Sequence, residues 1–456
     1  MEQTTKRSSF SGKIGFVLAA AGSAVGLGNL WRFPYLAAKY GGGMFLLTYI
    51  ILAVTFGFVL MIAEIAIGRK SGKSAIGAYA ALDKRFGFVG WLTALVPALI
   101  LPYYSVIGGW VMKYFFGFAT GQGASMATET YFGNYITGSV GEPILWFGLF
   151  LLITGVVVFF GVEKGIEKVS KFLMPVLIAF IIFIVVYIFC TTDNIGEGVK
   201  YYLVPDFSRF SIMTVVAALG QLFYSMSLAM GIMITFGSYM KKDISIENSV
   251  HQVEIFDSGV AILAGLMIVP VVFATRGTGA GGLAESGPGL MFEVLPSVFN
   301  EMPGGSVIGA LFFIMVFLAA LTSSISLMET VVSIIMDKTK LSRRKTCLLV
   351  FGGAFLIGLP SSLGSSIWSE VKILGFQFLD FFDFITNNLI MPVIALITCL
   401  FVGYFLKPKT IMEEANIDKK PFMSGMFTVI IRYAAPVCLV VILISSVLNA
   451  IGVIKI

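Results

Sequence analysis

Charge is the first thing this chain is short of. Only 12% of its 456 residues are Asp, Glu, Lys or Arg, about half the share of a soluble domain. A soluble fold of this length could not wet its surface with so few. Histidine occurs once, at His251. The four cysteines, Cys190, Cys347, Cys399 and Cys438, stand far apart and suggest neither a metal site nor a disulfide framework. No nucleophile–base pair or metal cluster is evident, which speaks against an enzyme. The net charge of +6 is scattered among loops, so it reads as membrane orientation rather than nucleic-acid binding.

Apolar residues are abundant instead. They make up 57% of the chain, and the mean hydropathy is +0.94. Met44–Ala63, Pro143–Phe160 and Phe172–Cys190 carry no charge at all. Each approaches the roughly 20 residues a helix needs to cross a bilayer. The runs do not alternate, so a membrane β-barrel is excluded and helices remain. The expected fold class is an all-α polytopic membrane protein.

Eleven spans fit: 12–37, 41–68, 89–118, 143–161, 166–190, 210–239, 249–274, 305–337, 343–364, 376–406 and 424–451. Residues 1–11 read as a cytoplasmic segment. Basic residues such as Lys6, Arg7, Arg69, Lys70, Lys164, Lys241 and Arg343 then gather on the inside. This puts the N-terminus in the cytoplasm and, with an odd number of spans, the C-terminus outside.

Two spans are poor helices at their centres. The first holds glycine at positions 22, 26 and 28, and the sixth contains Ser225-Met-Ser-Leu-Ala-Met-Gly231. Glycine costs about 1 kcal/mol per helical position relative to alanine. If 12–190 (spans 1–5) and 210–406 (spans 6–10) are two halves, with 424–451 extra, the breaks fall at corresponding positions. That pattern marks an inverted-repeat transporter with a site at the bilayer midplane. Close helix packing is the other reading of the same glycines.

The string Ala20-Ala-Gly-Ser-Ala-Val-Gly-Leu-Gly-Asn-Leu-Trp-Arg-Phe-Pro34, followed by Gly41-Gly-Gly43, is specific. It resembles the neurotransmitter:sodium symporter family, above all its bacterial amino-acid transporters. Glu64-Ile-Ala-Ile-Gly-Arg69, Pro102-Tyr-Tyr104, Gly220-Gln-Leu-Phe-Tyr-Ser225 and Leu321-Thr-Ser-Ser324 extend the likeness in order across spans 1 to 8. The resemblance implies inverted five-helix repeats of the leucine-transporter type plus one further helix. It also implies sodium-coupled symport of neutral hydrophobic L-amino acids by alternating access, in a bacterial-type inner (plasma) membrane. An ion channel, or an amino-acid-sensing receptor on the same fold, are the alternatives.

The resemblance also assigns residues. Substrate would meet Ser23, Ala24, Leu27, Gly28, Ile100, Tyr104, Tyr224, Ser225, Ser227, Met230, Ser323 and Leu327. Two sodium sites are implied. One uses Ala24, Asn29, Ser225 and Asp257 with the substrate carboxylate; the other uses Gly22, Val25, Ala319, Thr322 and Ser323. None of the pocket residues is charged, and an unpaired ionic side chain would cost several kcal/mol to bury. Met230 is flexible and suits branched or aromatic substrates.

Arg32 and Asp383 resemble an outer gate with Tyr224 as lid. Arg7, Ser238, Tyr239 and Asp337 resemble an inner one, and Gly165 with Pro175 a span-5 unwinding motif. Phe10 stands where the leucine transporter has tryptophan, and Ala229 replaces a glycine in the broken part of span 6. Members that need chloride bind it near a span-2 tyrosine, a span-6 glutamine and serine, and a span-7 serine. Here Tyr49, Gln221 and Ser225 are present, but Ala261 stands at the span-7 serine position and Asp257 brings a fixed charge. No chloride requirement is therefore expected. His251 reads as incidental.

Overall fold

The computed structural model describes residues 9–276, 288–339 and 341–450. Of the eleven expected spans, nine are single helices long and apolar enough to cross a membrane. They are α3 (Gly43–Ser71), α4 (Lys84–Ala119), α5 (Gly141–Phe159), α6 (Val162–Thr191), α9 (Ile246–Thr275), α10 (Gly305–Lys338), α11 (Arg343–Leu363), α12 (Phe378–Phe405) and α13 (Pro421–Asn449).

The other two are broken. The first is a pair, α1 (Lys13–Ala24) and α2 (Gly28–Lys39), bent by 54°. The sixth is α7 (Ile212–Ser225) and α8 (Ile232–Ser238), with the chain non-helical between them. In that gap Ser227 and Ala229 adopt positive φ, at 52° and 60°. Left-handed backbone costs a non-glycine residue about 1–2 kcal/mol, so the break needs support from outside the helix.

Glu64 of α3 supplies it. Its buried carboxylate accepts the Ala229 N–H at 2.6 Å. α3 and α8 also touch through their backbones. A Cβ on Gly68 would lie 1.9 Å from the Ile234 carbonyl oxygen, and one on Gly237 would lie 2.3 Å from that of Ile65. Only glycine permits this approach. The second half of span 6 is thereby fixed to α3.

α10 packs along α4 and also meets α1. This places the serines of α10 beside the break in span 1. Large apolar side chains that remain exposed, including Ile51 and Val54 of α3 and Phe183 and Val186 of α6, form the outward faces of these helices, as a lipid environment requires.

Candidate functional site

Both breaks open onto one pocket. It is lined by Ser23, Ala24, Leu27, Gly28, Ile100, Tyr104, Tyr224, Ser225, Ser227, Met230, Ser323 and Leu327, the full expected set, and also by Gly26, Asn29 and Ile232. Its free volume is about 40 Å³, space for a few water molecules. A Cβ at Gly26 would come within 2.7 Å of Ser323 Oγ, and one at Gly28 within 2.5 Å of the Tyr224 ring. The missing side chains are therefore what let the pocket walls approach the backbone. Ser23 and Ser227 join the two breaks by a hydroxyl–hydroxyl contact of 3.1 Å, and Ser227 Oγ also donates to the Ser23 carbonyl at 3.0 Å.

Asp257 is fully buried beside this pocket. Its carboxylate faces the hydroxyls of Tyr49 at 3.2 Å and Ser225 at 2.8 Å, and the Asn29 amide at 2.7 Å. Tyr49 and Ser225 are two of the groups associated above with chloride, and here both donate to a carboxylate. The third, Gln221, instead donates to the Gly28 carbonyl at 3.0 Å. Asn29 differs from expectation in one respect. Its NH2 points at Asp257 and Ser225, while its oxygen accepts the Gly26 N–H at 3.0 Å. To ligate a cation the amide must turn over, because only its oxygen carries lone pairs for the ion.

The second expected set converges on α10. Ser323 Oγ lies 3.4, 3.0 and 3.2 Å from the carbonyl oxygens of Gly22, Ser23 and Val25. One hydroxyl proton can serve only one of them at a time. Thr322 Oγ1 is 3.0 Å from the Ala319 carbonyl. The result is a cluster of oxygens at the broken end of α1, the donor type an alkali cation takes.

The outer pair departs from a direct gate. Arg32 and Asp383 face one cavity of about 500 Å³, but they form no ion pair. The Arg32 guanidinium lies 5.2 Å from the Tyr224 ring centroid. Asp383 is occupied by Tyr103 and Asn387, at 3.2 and 2.6 Å. A cation on an aromatic face and a carboxylate with two neutral donors are both partly satisfied, so neither needs the other in this conformation.

At the opposite end Phe10 sits among Phe16, Phe236 and Tyr239, and its N–H donates to the Tyr239 carbonyl. The Tyr239 hydroxyl donates to Glu329 at 2.8 Å, and Arg343 holds the same carboxylate and also the Val158 carbonyl. Asp337 accepts the Ser74 N–H at 2.7 Å, and Ser238 donates to the Thr235 carbonyl. Arg7 lies outside the described residues. Glu329 was missed in the sequence, although an acid within the apolar run of α10 was signal enough.

α6 begins irregularly. Gly161 has φ of +89°, the turns over Val162–Glu167 are π-helical, and Pro175 lies further along the same helix. A Cβ on Gly165 would meet the Val157 carbonyl at 2.2 Å. Glu167, also missed in the sequence, accepts the Ser11 N–H at 2.8 Å and so ties the N-terminal segment to α6. His251 stacks on Phe58, with centroids 4.3 Å apart, and lies 3.7 Å from Glu254.

Two broken helices meeting at a pocket in the middle of a helical bundle define a membrane transporter of the inverted-repeat kind. The chain matches the Sodium:neurotransmitter symporter family over residues 7–132 and 134–453, and it belongs to that family. It is 34% identical to YhdH, a sodium-dependent transporter of Bacillus subtilis, over 98% of both chains. It is 29% identical to the sodium- and chloride-dependent taurine transporter of the dog, covering 83% of this chain and 68% of that one. Among solved structures, that of MhsT in complex with L-phenylalanine superposes with a TM-score of 0.86 at 34% identity, over 96% of this chain and all of that one. The fold is accordingly the all-α, leucine-transporter-type arrangement of inverted five-helix repeats with one extra helix. The protein is a multi-pass, sodium-coupled membrane transporter and not an enzyme.

Proposed function

We propose that the protein is a symporter of neutral, hydrophobic L-amino acids. The observation that carries this reading is the lining of the central pocket, where Leu27, Ile100, Met230, Ile232 and Leu327 meet four serines and two tyrosines and no charged side chain. The hydroxyls and the open backbone at the breaks suit a carboxylate and an ammonium. The apolar residues suit an uncharged side chain, since a buried unpaired charge costs several kcal/mol. L-phenylalanine bound to MhsT is consistent with this class.

Two sodium ions would accompany the substrate, one near Ala24, Asn29, Ser225 and Asp257, the other near Gly22, Val25, Ala319, Thr322 and Ser323. A substrate carboxylate shared with the first ion makes each ligand raise the affinity of the other. Asp257 would supply the negative charge there, so that chloride is not required. Arg32, Asp383 and Tyr224 would close the outer side. Phe10, Tyr239 and the Glu329–Arg343 pair would close the inner one, and the Gly165–Pro175 stretch would loosen to let the second ion leave. Residues 12–190 and 210–406 are the proposed repeats, in a bacterial-type plasma membrane with the N-terminus inside.

Uptake by proteoliposomes decides the reading. Leucine, phenylalanine or methionine should accumulate when sodium is high outside and fail to accumulate in potassium. Lysine and glutamate should compete weakly. Glutamate as the best competitor would overturn the pocket assignment, and downhill sodium current without substrate accumulation would favour a channel.

A further inference from the structure

A third cavity, of about 640 Å³, lies away from the central pocket, where the end of α2 meets the helix Gly196–Leu203 and the loop after it. Its wall carries two acids and two bases: Glu197, Lys200, Asp206 and Arg209. Asp206 and Arg209 pair with each other at 3.0 Å, and the guanidinium lies 4.8 Å from the Tyr201 ring centroid. Glu197 and Lys200 stand three residues apart on one helix, a spacing that allows pairing. Among the described residues they pair neither with each other nor with anything else. An unused acid and an unused base thus share one concave surface.

The rim is apolar. Val204 is 53% exposed, Phe207 73% and Phe210 51%. Isolated exposed aromatics need no explanation, but several around a charged cavity in a membrane protein mark an interfacial contact.

We propose that this cavity seats the headgroup of a zwitterionic phospholipid, with its ammonium on Glu197, its phosphate on Lys200 and Arg209, and its chains along Val204, Phe207 and Phe210. A purely anionic headgroup would meet Lys200 and Arg209 in the same way but would bring no ammonium for Glu197. Exposed charge pairs add little each, so a soluble zwitterion without chains would bind far more weakly. The seat touches the transport machinery. Gly41, which follows α2, forms part of the wall, and the Tyr201 hydroxyl donates to the Ala38 carbonyl at 2.6 Å. A lipid held here would steady the outer half of the broken first span.

The test uses the full chain in nanodiscs of phosphatidylglycerol, alone or with a tenth of phosphatidylethanolamine, read by hydrogen–deuterium exchange over residues 196–210. Phosphatidylethanolamine should slow exchange there at least threefold. Phosphatidylcholine, whose ammonium has no N–H to donate, should need several times more lipid for the same effect in the unmodified protein. The pair Glu197→Gln and Lys200→Gln should abolish the protection, and Phe207→Ala should weaken it. Equal exchange with and without phosphatidylethanolamine would overturn the proposal. So would protection that survives the double substitution, or equal protection by millimolar soluble phosphoethanolamine in phosphatidylglycerol discs.

Discussion

Replacing one oxygen of Asp257 by nitrogen would change what the hydroxyls of Tyr49 and Ser225 have to point at. In the native protein both donate to a buried carboxylate. With Asp257→Asn the charge is gone and the donors remain, which is the setting in which a mobile anion becomes useful. Uptake by the unmodified protein should be the same in chloride and in gluconate. The variant should take up substrate more slowly in gluconate and recover in chloride, more so with Ala261→Ser added. Chloride dependence of the native protein would remove Asp257 as the built-in charge. For the second ion, Thr322→Ala with Ser323→Ala removes two hydroxyls and leaves carbonyls alone. The sodium concentration for half-maximal uptake should rise at least tenfold while protein abundance falls much less. Unchanged sodium dependence would leave these residues with a packing role. Single residues of this kind were legible because their types are rare inside apolar spans. The side of Asn29 that faces Asp257, and the choice of Tyr224 over Asp383 by Arg32, depend on rotamers no one-dimensional pattern contains.

The broken helices were legible for a related reason. Gly22, Gly26 and Gly28, or Ser225, Ser227 and Gly231, lower helix propensity enough to show against apolar surroundings. What holds the second break open was not, because Glu64 and Ala229 are 165 residues apart. Ala229 carries a positive φ of 60° at that break. Ala229→Gly should relieve about 0.5–1 kcal/mol of backbone strain, net of the entropy glycine adds to the unfolded chain. The melting temperature in detergent should therefore hold or rise slightly, and a fall of several degrees would show that the Ala229 methyl is needed for packing. Within α6, Pro175→Ala restores a backbone hydrogen bond and stiffens the helix. Maximal uptake rate should drop several-fold with little change in the sodium concentration for half-maximal rate, if loosening of this helix limits ion release. An unchanged rate would make Pro175 an ordinary kink.

Across the whole molecule, ligands that bind only the folded state raise its stability in proportion to the logarithm of their concentration. A hydrophobic amino acid should therefore raise the melting temperature in sodium and not in potassium, and an equal rise in both would argue against coupled binding. Stability should also depend on pH through one contact between elements. Glu414, in the helix Pro408–Ala415 outside the spans, accepts from Arg69 of α3 and from Lys242, both at 2.7 Å. Burial pushes its carboxyl upward, but the two cations outweigh that and hold it below the ordinary range. A depressed carboxyl stabilises the fold above its unfolded value and loses that contribution as pH falls through its folded value. Between pH 7 and 5 the native protein and Glu414→Gln should thus differ by a constant margin, which should shrink below about pH 4.5. A margin that persists into acid would assign the effect to packing.

The bond between Glu64 and the Ala229 N–H also sets an order of events during synthesis. A ribosome adding about 5–20 residues per second needs roughly 8–33 s to travel the 165 residues between them. Throughout that interval α3 holds a carboxyl group whose partner has not yet been made. An ionised acid at bilayer depth costs several kcal/mol. α3 therefore waits either with Glu64 protonated or beside the insertion machinery, and it reaches its final environment only once α8 arrives and the glycine faces of the two helices close. The support of the second break is thus completed only near the middle of synthesis, although half of it is made early.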